Sequence, residues 1–211
     1  MKNIDYSLYF VTDRHQPKAG TFEEVVTEAL NGGATILQLR EKEGDTGLLY
    51  ERAMAIKKIA ADFHVPFIID DRIDIMLASD ADGVHVGQSD MPAKIARKMI
   101  GPDKILGVSA STLEEALQAE KDGADYIGVG AMFATDTKKD AHLTSMEELR
   151  EIIHNVHIPV IVIGGINQKT IPLFNEMDIS GYAIVSAIMA SDNPEKSAAE
   201  LKELIKKNRK S

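Results

Sequence analysis

Charged side chains follow several of the apolar runs in this chain, and their types suggest one kind of chemistry. The acids are Asp71 and Asp90, and the cations are Arg40, Lys42 and Lys138. Mg2+ prefers oxygen ligands, and proteins usually hold it with one or two carboxylates together with phosphate oxygens of a substrate. Arginine and lysine both bind phosphate groups. If these residues converge in the fold, they fit a diphosphate with a bound metal ion.

The same charged residues have an ordinary structural interpretation. An aspartate that precedes a helix can cap it, and this alternative is open for both acids. Arg40 and Lys42 could instead pair at the surface with the neighbouring Glu41 or Glu43. Two carboxylates and three cations that meet at one edge of the fold nevertheless fit a metal-bound diphosphate better than they fit either alternative.

A polar stretch at residues 133–140 reads Phe-Ala-Thr-Asp-Thr-Lys-Lys-Asp and lies between a strand-like run and a helical pattern that begins near Thr144. Its hydroxyls can donate hydrogen bonds, and its lysines carry compact positive charges. An ordinary polar loop is the alternative, since such loops are common. We interpret the stretch as an anion-binding loop because other polar stretches are predicted to lie beside it.

Composition limits the class of protein. The chain has 211 residues, of which 44% are hydrophobic and 27% charged, and this is typical of one soluble globular unit. Its net charge of −9 argues against a nucleic-acid partner. It has no cysteine, which excludes disulfides, thiolate nucleophiles and cysteine-bound metals. We find neither a signal-like N-terminus nor an apolar run of about 18 residues, so we expect a cytoplasmic protein without a membrane span.

The hydrophobic pattern predicts eight strand–helix units. We predict strands over residues 8–11, 34–39, 66–69, 83–86, 105–108, 125–130, 160–163 and 181–185. The first helix is expected to begin at Thr21 in a capping box with Glu24, and another is expected over about 168–176. Successive apolar residues within the strands are typical of parallel strands covered on both faces. The pattern favours a single-domain (β/α)8 TIM barrel over residues 1–211. The competing fold is an open doubly wound sheet, which would need a glycine-rich turn after the first strand. Residues 12–14 read Thr-Asp-Arg and are not such a turn.

In such a barrel the chemistry lies on loops at the C-terminal ends of the strands. The residues at these ends that could face a ligand are Gln38, Arg40, Lys42, Asp70, Asp71, Gln88, Asp90, Ser109, Thr135, Thr137, Lys138, Gly164, Gly165, Val185 and Ser186. Loops after the seventh and eighth strands commonly bind phosphate through backbone amides, so the last four indicate a second anion site, with a plain tight turn as the alternative. We interpret His85 as a hydrogen-bonded histidine inside the barrel.

These residues resemble the thiamine phosphate synthase family. The matching motifs span nearly the whole chain: YFVTDR at 9–14, QLREK at 38–42, DRID at 71–74, HVGQSDMP at 85–92, GVS at 107–109, TDTKKDA at 135–141, IGGI at 163–166 and VSAI at 185–188. The resemblance implies a (β/α)8 enzyme that joins a hydroxymethylpyrimidine diphosphate to a thiazole phosphate. The diphosphate would leave first, and the thiazole nitrogen would then attack the pyrimidine-stabilised carbocation.

The resemblance also implies a role for each site residue. The pyrimidine diphosphate would be held by Gln38, Leu39, Arg40, Glu41, Lys42, Asp70, Ser109 and Lys138. The thiazole phosphate would be held by Thr135, Asp136, Thr137, Gly165, Val185 and Ser186. Catalysis would depend directly on Lys138, Ser109 and Arg40. One Mg2+ per subunit would bind to Asp71 and Asp90. The partners would be the two small phosphorylated substrates, and a homo-oligomer is compatible with the sequence.

Two positions depart from the family pattern. Asp70 replaces an asparagine that would donate to the diphosphate, and an ionised carboxylate cannot donate a hydrogen bond. Ala134 replaces a proline, so the loop should be less rigid. Two alternatives therefore stay open. One is a related thiazole tautomerase, which is expected to carry a catalytic histidine where this chain has Ala131. The other is a non-catalytic barrel that binds phosphorylated ligands.

Overall fold

The computed structural model describes residues 4–134 and 143–208. Eight parallel strands form a closed barrel, and each strand pairs with its neighbours in chain order. The strands are β1 (Leu8–Val11), β2 (Ile36–Leu39), β3 (Phe67–Asp70), β4 (Gly83–Val86), β5 (Ile105–Ala110), β6 (Tyr126–Val129), β7 (Val160–Ile163) and β8 (Gly181–Ile184). The predicted (β/α)8 barrel is confirmed.

Helices alternate with the strands and cover the barrel. They are α1 (Phe22–Asn31), α2 (Thr46–Asp62), α3 (Ile73–Ser79), α4 (Ala93–Ile100), α5 (Leu113–Lys121), α6 (Met146–Asn155), α7 (Ser186–Met189) and α8 (Pro194–Asn208). The capping box predicted for α1 is present, with Thr21 and Glu24 bonded to each other's backbone amides. Among the helices in the described residues, none has the length and apolar character needed to cross a membrane.

The helix predicted over residues 168–176 is wrong, since the segment forms only a short 3-10 helix, Ile171–Phe174. The preceding turn is held by side chains. The Thr170 hydroxyl donates to the carbonyl of Gly165 at 3.1 Å, and the Asn167 side chain accepts from the amide of Lys169 at 2.9 Å. Because such local bonds compete with helical hydrogen bonds, the apolar pattern alone does not produce an α-helix here.

Alternating residues of each strand supply two separate cores. On β1, Leu8 and Phe10 pack outward against the helices, whereas Tyr9 and Val11 pack inside the barrel. The inner core also contains Tyr6, Ile36, Ile68, Ile105, Tyr126, Ile161 and Ala183. Burial on both faces explains why the strands are apolar at successive positions. Polar side chains that point inward near the strand ends therefore lie at the bottom of the barrel mouth.

Candidate active site

The loop after β2 begins at the mouth of the barrel. Gln38 pairs in register with Val11 of the inner core, and its side chain is buried. Two residues further on, the backbone amide of Arg40 donates to the hydroxyl of Thr12 at 3.1 Å. The Arg40 guanidinium lies 3.5 Å from the carboxylate of Asp13. The loop is thus fixed to the end of β1, and Arg40 pairs with Asp13 instead of the glutamates considered from the sequence.

Lys42 joins the ends of β2 and β3. Its ammonium lies 2.7 Å from the carboxylate of Asp70, the last residue of β3, and it also donates to the carboxylate of Asp71. Burial alone would lower the pKa of Lys42, but the two carboxylates outweigh burial and hold this pKa above its ordinary value. The predicted cation and the predicted acids are therefore in direct contact.

Asp71 and Asp90 lie close together, and neither serves as a helix cap. The N-cap residues of α3 and α4 are Arg72 and Pro92, so the capping alternative is wrong for both acids. Asp71 has a left-handed backbone (φ 59°), and its amide donates to the carbonyl of His85 at 2.8 Å. Burial raises the pKa of the Asp90 carboxyl, and repulsion from Asp71 adds to this effect.

This pair of acids fits a magnesium ion that is bound partly by substrate. Within residues 4–134 and 143–208, no group of three or more histidines and acids could hold a metal by itself. Mg2+ needs less than that, since one or two carboxylates plus water and phosphate oxygens are sufficient. Asp71 and Asp90 supply two carboxylates, and the Asp90 carboxylate is oriented by the Gly87 amide, which donates to it at 2.8 Å.

Ser109 lies within β5, one residue before its end, and not in the loop as predicted. Its hydroxyl is 2.9 Å from Nε2 of His85, and its carbonyl accepts from the side chain of Gln88 at 2.6 Å. The other ring nitrogen of His85 is 3.0 Å from the hydroxyl of Tyr126. The interpretation of His85 as a hydrogen-bonded histidine inside the barrel is confirmed.

Two other residues assigned to the diphosphate have side chains with partners elsewhere in the fold. The side chain of Leu39 is buried in the outer core between the barrel and the helices, so only its backbone could contact a ligand. The Glu41 carboxylate accepts from Arg14 at 2.7 Å and from Arg52 at 2.8 Å. Glu41 and the two arginines line a cavity of about 270 Å3 together with Arg40 and Lys42. The structure thus places Glu41 in the wall of the mouth.

Backbone conformation dominates the opposite side of the mouth, at the ends of β7 and β8. Gly164 and Gly165 have positive φ angles of 95° and 66°. A Cβ on Gly165 would lie 2.7 Å from the Cβ of Phe133 and 3.1 Å from the carbonyl of Ala134. Glycine is therefore required both by the backbone and by the close packing of the loop after β6. Val185 and Ser186 follow β8 at the start of α7.

Four predicted site residues, Thr135, Asp136, Thr137 and Lys138, lie outside the described residues. The chain on either side of them is tied to the barrel. The amide of Phe133 donates to the carbonyl of Gly164 at 3.1 Å, and the amide of Thr144 donates to the carbonyl of Ala131 at 2.9 Å. Both flanks of this segment are therefore anchored at the mouth, beside the glycine turn.

Sequence reasoning missed three residues that contact the predicted site. Asp13 pairs with Arg40, and Tyr9 accepts a hydrogen bond from the Gln38 side chain at 2.9 Å. The hydroxyl of Tyr126 lies between Tyr9 and His85. Side chains alternate between the two faces of a strand, and this alternation was the signal in the sequence that could have found them, because it points both tyrosines and His85 into the barrel. Alternation could not indicate which of these side chains meet.

Comparison with known proteins identifies the family. Residues 8–188 match the family model described as thiamine monophosphate synthase. The thiamine-phosphate synthase of Clostridium botulinum is 60% identical over 204 residues, which are 96% of each chain. That of Methanobrevibacter smithii is 52% identical over 210 residues, which are 99% of this chain and 100% of that relative. The solved thiamine phosphate pyrophosphorylase from Pyrococcus furiosus superposes with a TM-score of 0.88 at 40% identity, covering 97% of this chain and 98% of that one. The chain therefore belongs to the thiamine monophosphate synthase family.

Proposed function

We propose that this chain joins 4-amino-2-methyl-5-hydroxymethylpyrimidine diphosphate to 4-methyl-5-(2-hydroxyethyl)thiazole phosphate, giving thiamine phosphate and diphosphate. The observation that carries the proposal is the charged cluster at the mouth, where Lys42 contacts Asp70 and Asp71 beside Arg40 and Asp90. It occurs in a chain that is 60% identical to a relative named thiamine-phosphate synthase. A diphosphate and a divalent cation together match this mixture of charges.

The reaction is a substitution in two steps. The C–O bond between the pyrimidine methylene and the diphosphate breaks first, and both electrons leave with the diphosphate oxygen. The methylene carbon becomes a cation that the pyrimidine ring stabilises. The thiazole nitrogen then uses its lone pair to form the new C–N bond. No proton moves in either step, so the protein must position two substrates and stabilise the leaving charge, and it needs no nucleophile of its own.

The side chains at the ends of β2 and β5 bind the pyrimidine diphosphate in this proposal. Arg40 and Lys42 offset the negative charge that grows on the leaving group, and Ser109 donates a hydrogen bond to it. Lys42 can turn from one of its carboxylates to a phosphate oxygen, because nearly half of its side chain is exposed (45%). Lys138 adds a further positive charge. Gln38 holds the pyrimidine from the inner side of the mouth.

Asp71 and Asp90 are the residues that would hold Mg2+. When bound, Mg2+ supplies positive charge to the oxygens of the leaving diphosphate. The protein's own contribution is to hold the two carboxylates in place. Asp71 is fixed by its backbone bond to β4, and Asp90 is fixed by the amide of Gly87. Carboxylate oxygens are the kind of ligand that Mg2+ prefers.

The thiazole phosphate is proposed to bind on the other side of the mouth, against Gly165, Val185 and Ser186. Backbone amides exposed by the glycine turn and by the start of α7 donate to the phosphate. Thr135 and Thr137, with Asp136 between them, complete this subsite. The register of β7 and β8 supports the arrangement, since Ile163 pairs with Ala183 and the residues that follow each strand leave the barrel together.

One incubation tests the proposed function against both alternatives. The protein is mixed with the two substrates and Mg2+, and thiamine phosphate is measured with and without a chelator. We expect product that disappears with chelation and returns with added Mg2+. Isomerised thiazole without thiamine phosphate would instead indicate a tautomerase. Binding of both ligands without turnover would indicate a non-catalytic barrel, and either result would contradict the proposal.

A further inference from the structure

A continuous chain of hydrogen bonds crosses the inside of the barrel beneath the mouth. The side chain of Gln38 on β2 donates to the hydroxyl of Tyr9 on β1 at 2.9 Å. The hydroxyls of Tyr9 and Tyr126 are 2.6 Å apart, and that of Tyr126 is 3.0 Å from Nδ1 of His85. Nε2 of His85 is 2.9 Å from the hydroxyl of Ser109. These hydrogen bonds therefore join two residues of the proposed pyrimidine diphosphate site, at the two ends, through His85 and the two buried tyrosines.

The donors along this chain can be assigned from the end at Gln38. An amide NH2 is a donor only, so the oxygen of Tyr9 accepts from Gln38. In one direction every proton of these hydrogen bonds has an acceptor: Tyr9 donates to Tyr126, and Tyr126 donates to Nδ1 of His85. Burial raises the pKa of both phenols above their ordinary range, which keeps both protons in place. In that direction His85 carries its proton on Nε2 and donates it to Ser109.

The consequence for Ser109 is a defined direction for its own proton. A hydroxyl has one donor and accepts through its lone pairs. Since the Ser109 oxygen accepts from His85, its proton is left to point toward a ligand at the mouth. A chain in which each group accepts from one neighbour and donates to the next is strengthened by mutual polarisation. The chain holds Ser109 as a donor, which an anionic ligand requires.

Glycines in the barrel wall leave space for this chain of hydrogen bonds. In register, His85 pairs with Gly107, and Gly107 pairs with Tyr126. A Cβ on Gly107 would lie 2.2 Å from the hydroxyl of Tyr126 and 2.5 Å from Nδ1 of His85. A Cβ on Gly128 would lie 3.1 Å from the His85 ring. Glycines on β5 and β6 therefore allow the histidine and tyrosine to meet at the centre of the barrel.

We propose that Tyr126 and His85 are positioning residues for the reaction. Together with Tyr9, they form a directional relay that starts at the Gln38 amide and presents the Ser109 hydroxyl as a donor to an oxygen of the departing diphosphate. The identity of that oxygen rests on the proposed function, whereas the direction of the relay does not. In this role both residues act through Ser109.

The direction of the relay is tested first, without substrate, on the wild-type protein. Nitrogen-15 NMR of the histidine rings distinguishes the two neutral tautomers from the charged ring, and loss of one set of signals in His85→Gln assigns His85. We expect the neutral form with its proton on Nε2 at mildly alkaline pH. A proton on Nδ1 would mean that the relay runs the other way and would overturn the proposal, even if the protein makes thiamine phosphate.

The kinetic test uses Tyr126→Phe, which removes the central hydroxyl of the relay and retains the ring. We expect kcat to fall about tenfold, since an oriented hydrogen bond to the leaving group is lost, with KM for the thiazole phosphate unchanged. Tyr6→Phe is the matched control. Its ring packs on Tyr126 with 5.1 Å between centroids, and within the described residues its hydroxyl has no hydrogen bond, so kcat should be retained.

A double-mutant cycle separates positioning from general destabilisation. If Tyr126 acts through Ser109, then Tyr126→Phe should cost little once Ser109 has been changed to alanine. Losses that multiply in the double variant would overturn the proposal, because Tyr126 would then act independently of Ser109. Equal losses of kcat in the Tyr6 and Tyr126 variants would also overturn it. Circular dichroism of each variant establishes that it is folded before the rates are compared.

Discussion

The two sides of the barrel mouth differ in what shapes them: charged side chains on one side and backbone conformation on the other. The side formed by the ends of β2 to β4, here called the charged half, contains Arg40, Lys42, Asp70, Asp71 and Asp90, and charged side chains shape it. The side formed by the ends of β7 and β8, here called the glycine half, contains Gly164, Gly165, Val185 and Ser186, and backbone conformation shapes it. The difference matches the two proposed ligands. A metal-bound diphosphate needs compensating charge, whereas a phosphate monoester can be held by amides at a turn.

The two halves should therefore respond differently to substitution. In the charged half a change of charge should alter binding without disturbing the fold, because the residues lie at the strand ends or just beyond them. In the glycine half even one added methyl group should alter the shape of the site. The following variants test this contrast, and they begin with the largest expected effect.

Lys42→Met should give the largest loss. It removes the ammonium that contacts Asp70 and Asp71 and leaves two carboxylates beside the diphosphate. We expect kcat/KM for the pyrimidine diphosphate to fall roughly 100-fold, as when one preorganised donor is removed from a charged transition state. Lys57→Met is the control, because Lys57 bonds to the carbonyls of Ser79 and Asp80 at the N-terminal end of the barrel. Equal losses in steady-state kinetics of both variants would contradict the assignment.

Asp71→Asn should alter the metal requirement. The amide keeps the size of the side chain but removes one negative charge from the pair with Asp90. We expect the Mg2+ concentration for half-maximal activity to rise about tenfold or more, which is the range seen when metal sites lose a supporting group. Asp74→Asn changes the same residue type on α3, where Asp74 pairs with Arg72, and should leave the Mg2+ titration unchanged. An unchanged titration for Asp71→Asn would remove this residue from the metal site.

Gly165→Ala tests the glycine half. The left-handed backbone costs a non-glycine residue about 1–2 kcal/mol, and the new Cβ would press against Phe133. We expect affinity for the thiazole phosphate to fall about tenfold, measured by calorimetry, while affinity for the pyrimidine diphosphate is retained. Gly101→Ala is the control for backbone strain alone, since its φ is also positive (77°) and no atom lies within 4 Å of its Cβ. If both variants lost the same affinity for the thiazole phosphate, backbone strain and not the shape of the site would explain the loss.

Asp70→Asn should have the smallest effect. Asp70 stands where the family pattern has asparagine, and its carboxylate adds negative charge beside Asp71 and the diphosphate. An amide at this position could donate to a phosphate oxygen, so apparent affinity for the pyrimidine diphosphate should be maintained or improved. The measurement is KM for that substrate at saturating Mg2+. A large loss of activity would instead mean that Lys42 depends on the carboxylate of Asp70, which it contacts at 2.7 Å.

Much of the fold follows from local pattern. The predicted bounds of the first and seventh strands, residues 8–11 and 160–163, match the structure, because short apolar runs between polar turns specify buried strands. The fourth strand, predicted over residues 83–86, also has its predicted ends. The failure at residues 168–176 has an equally local cause, since the side chains of Asn167 and Thr170 bond to the backbone of the turn.

The sequence by itself determined which strand ends form the mouth, because strand ends in a closed barrel must meet there whatever their partners. Only the tertiary structure decided which side chains touch. Lys42 could have paired with adjacent glutamates, yet the register of β2 and β3 brings it to Asp70 and Asp71. Tyr126 meets His85 because Gly107 lies between them on the barrel wall. Such contacts join residues far apart in the chain. The local sequence pattern does not specify how far apart their side chains lie inside the barrel.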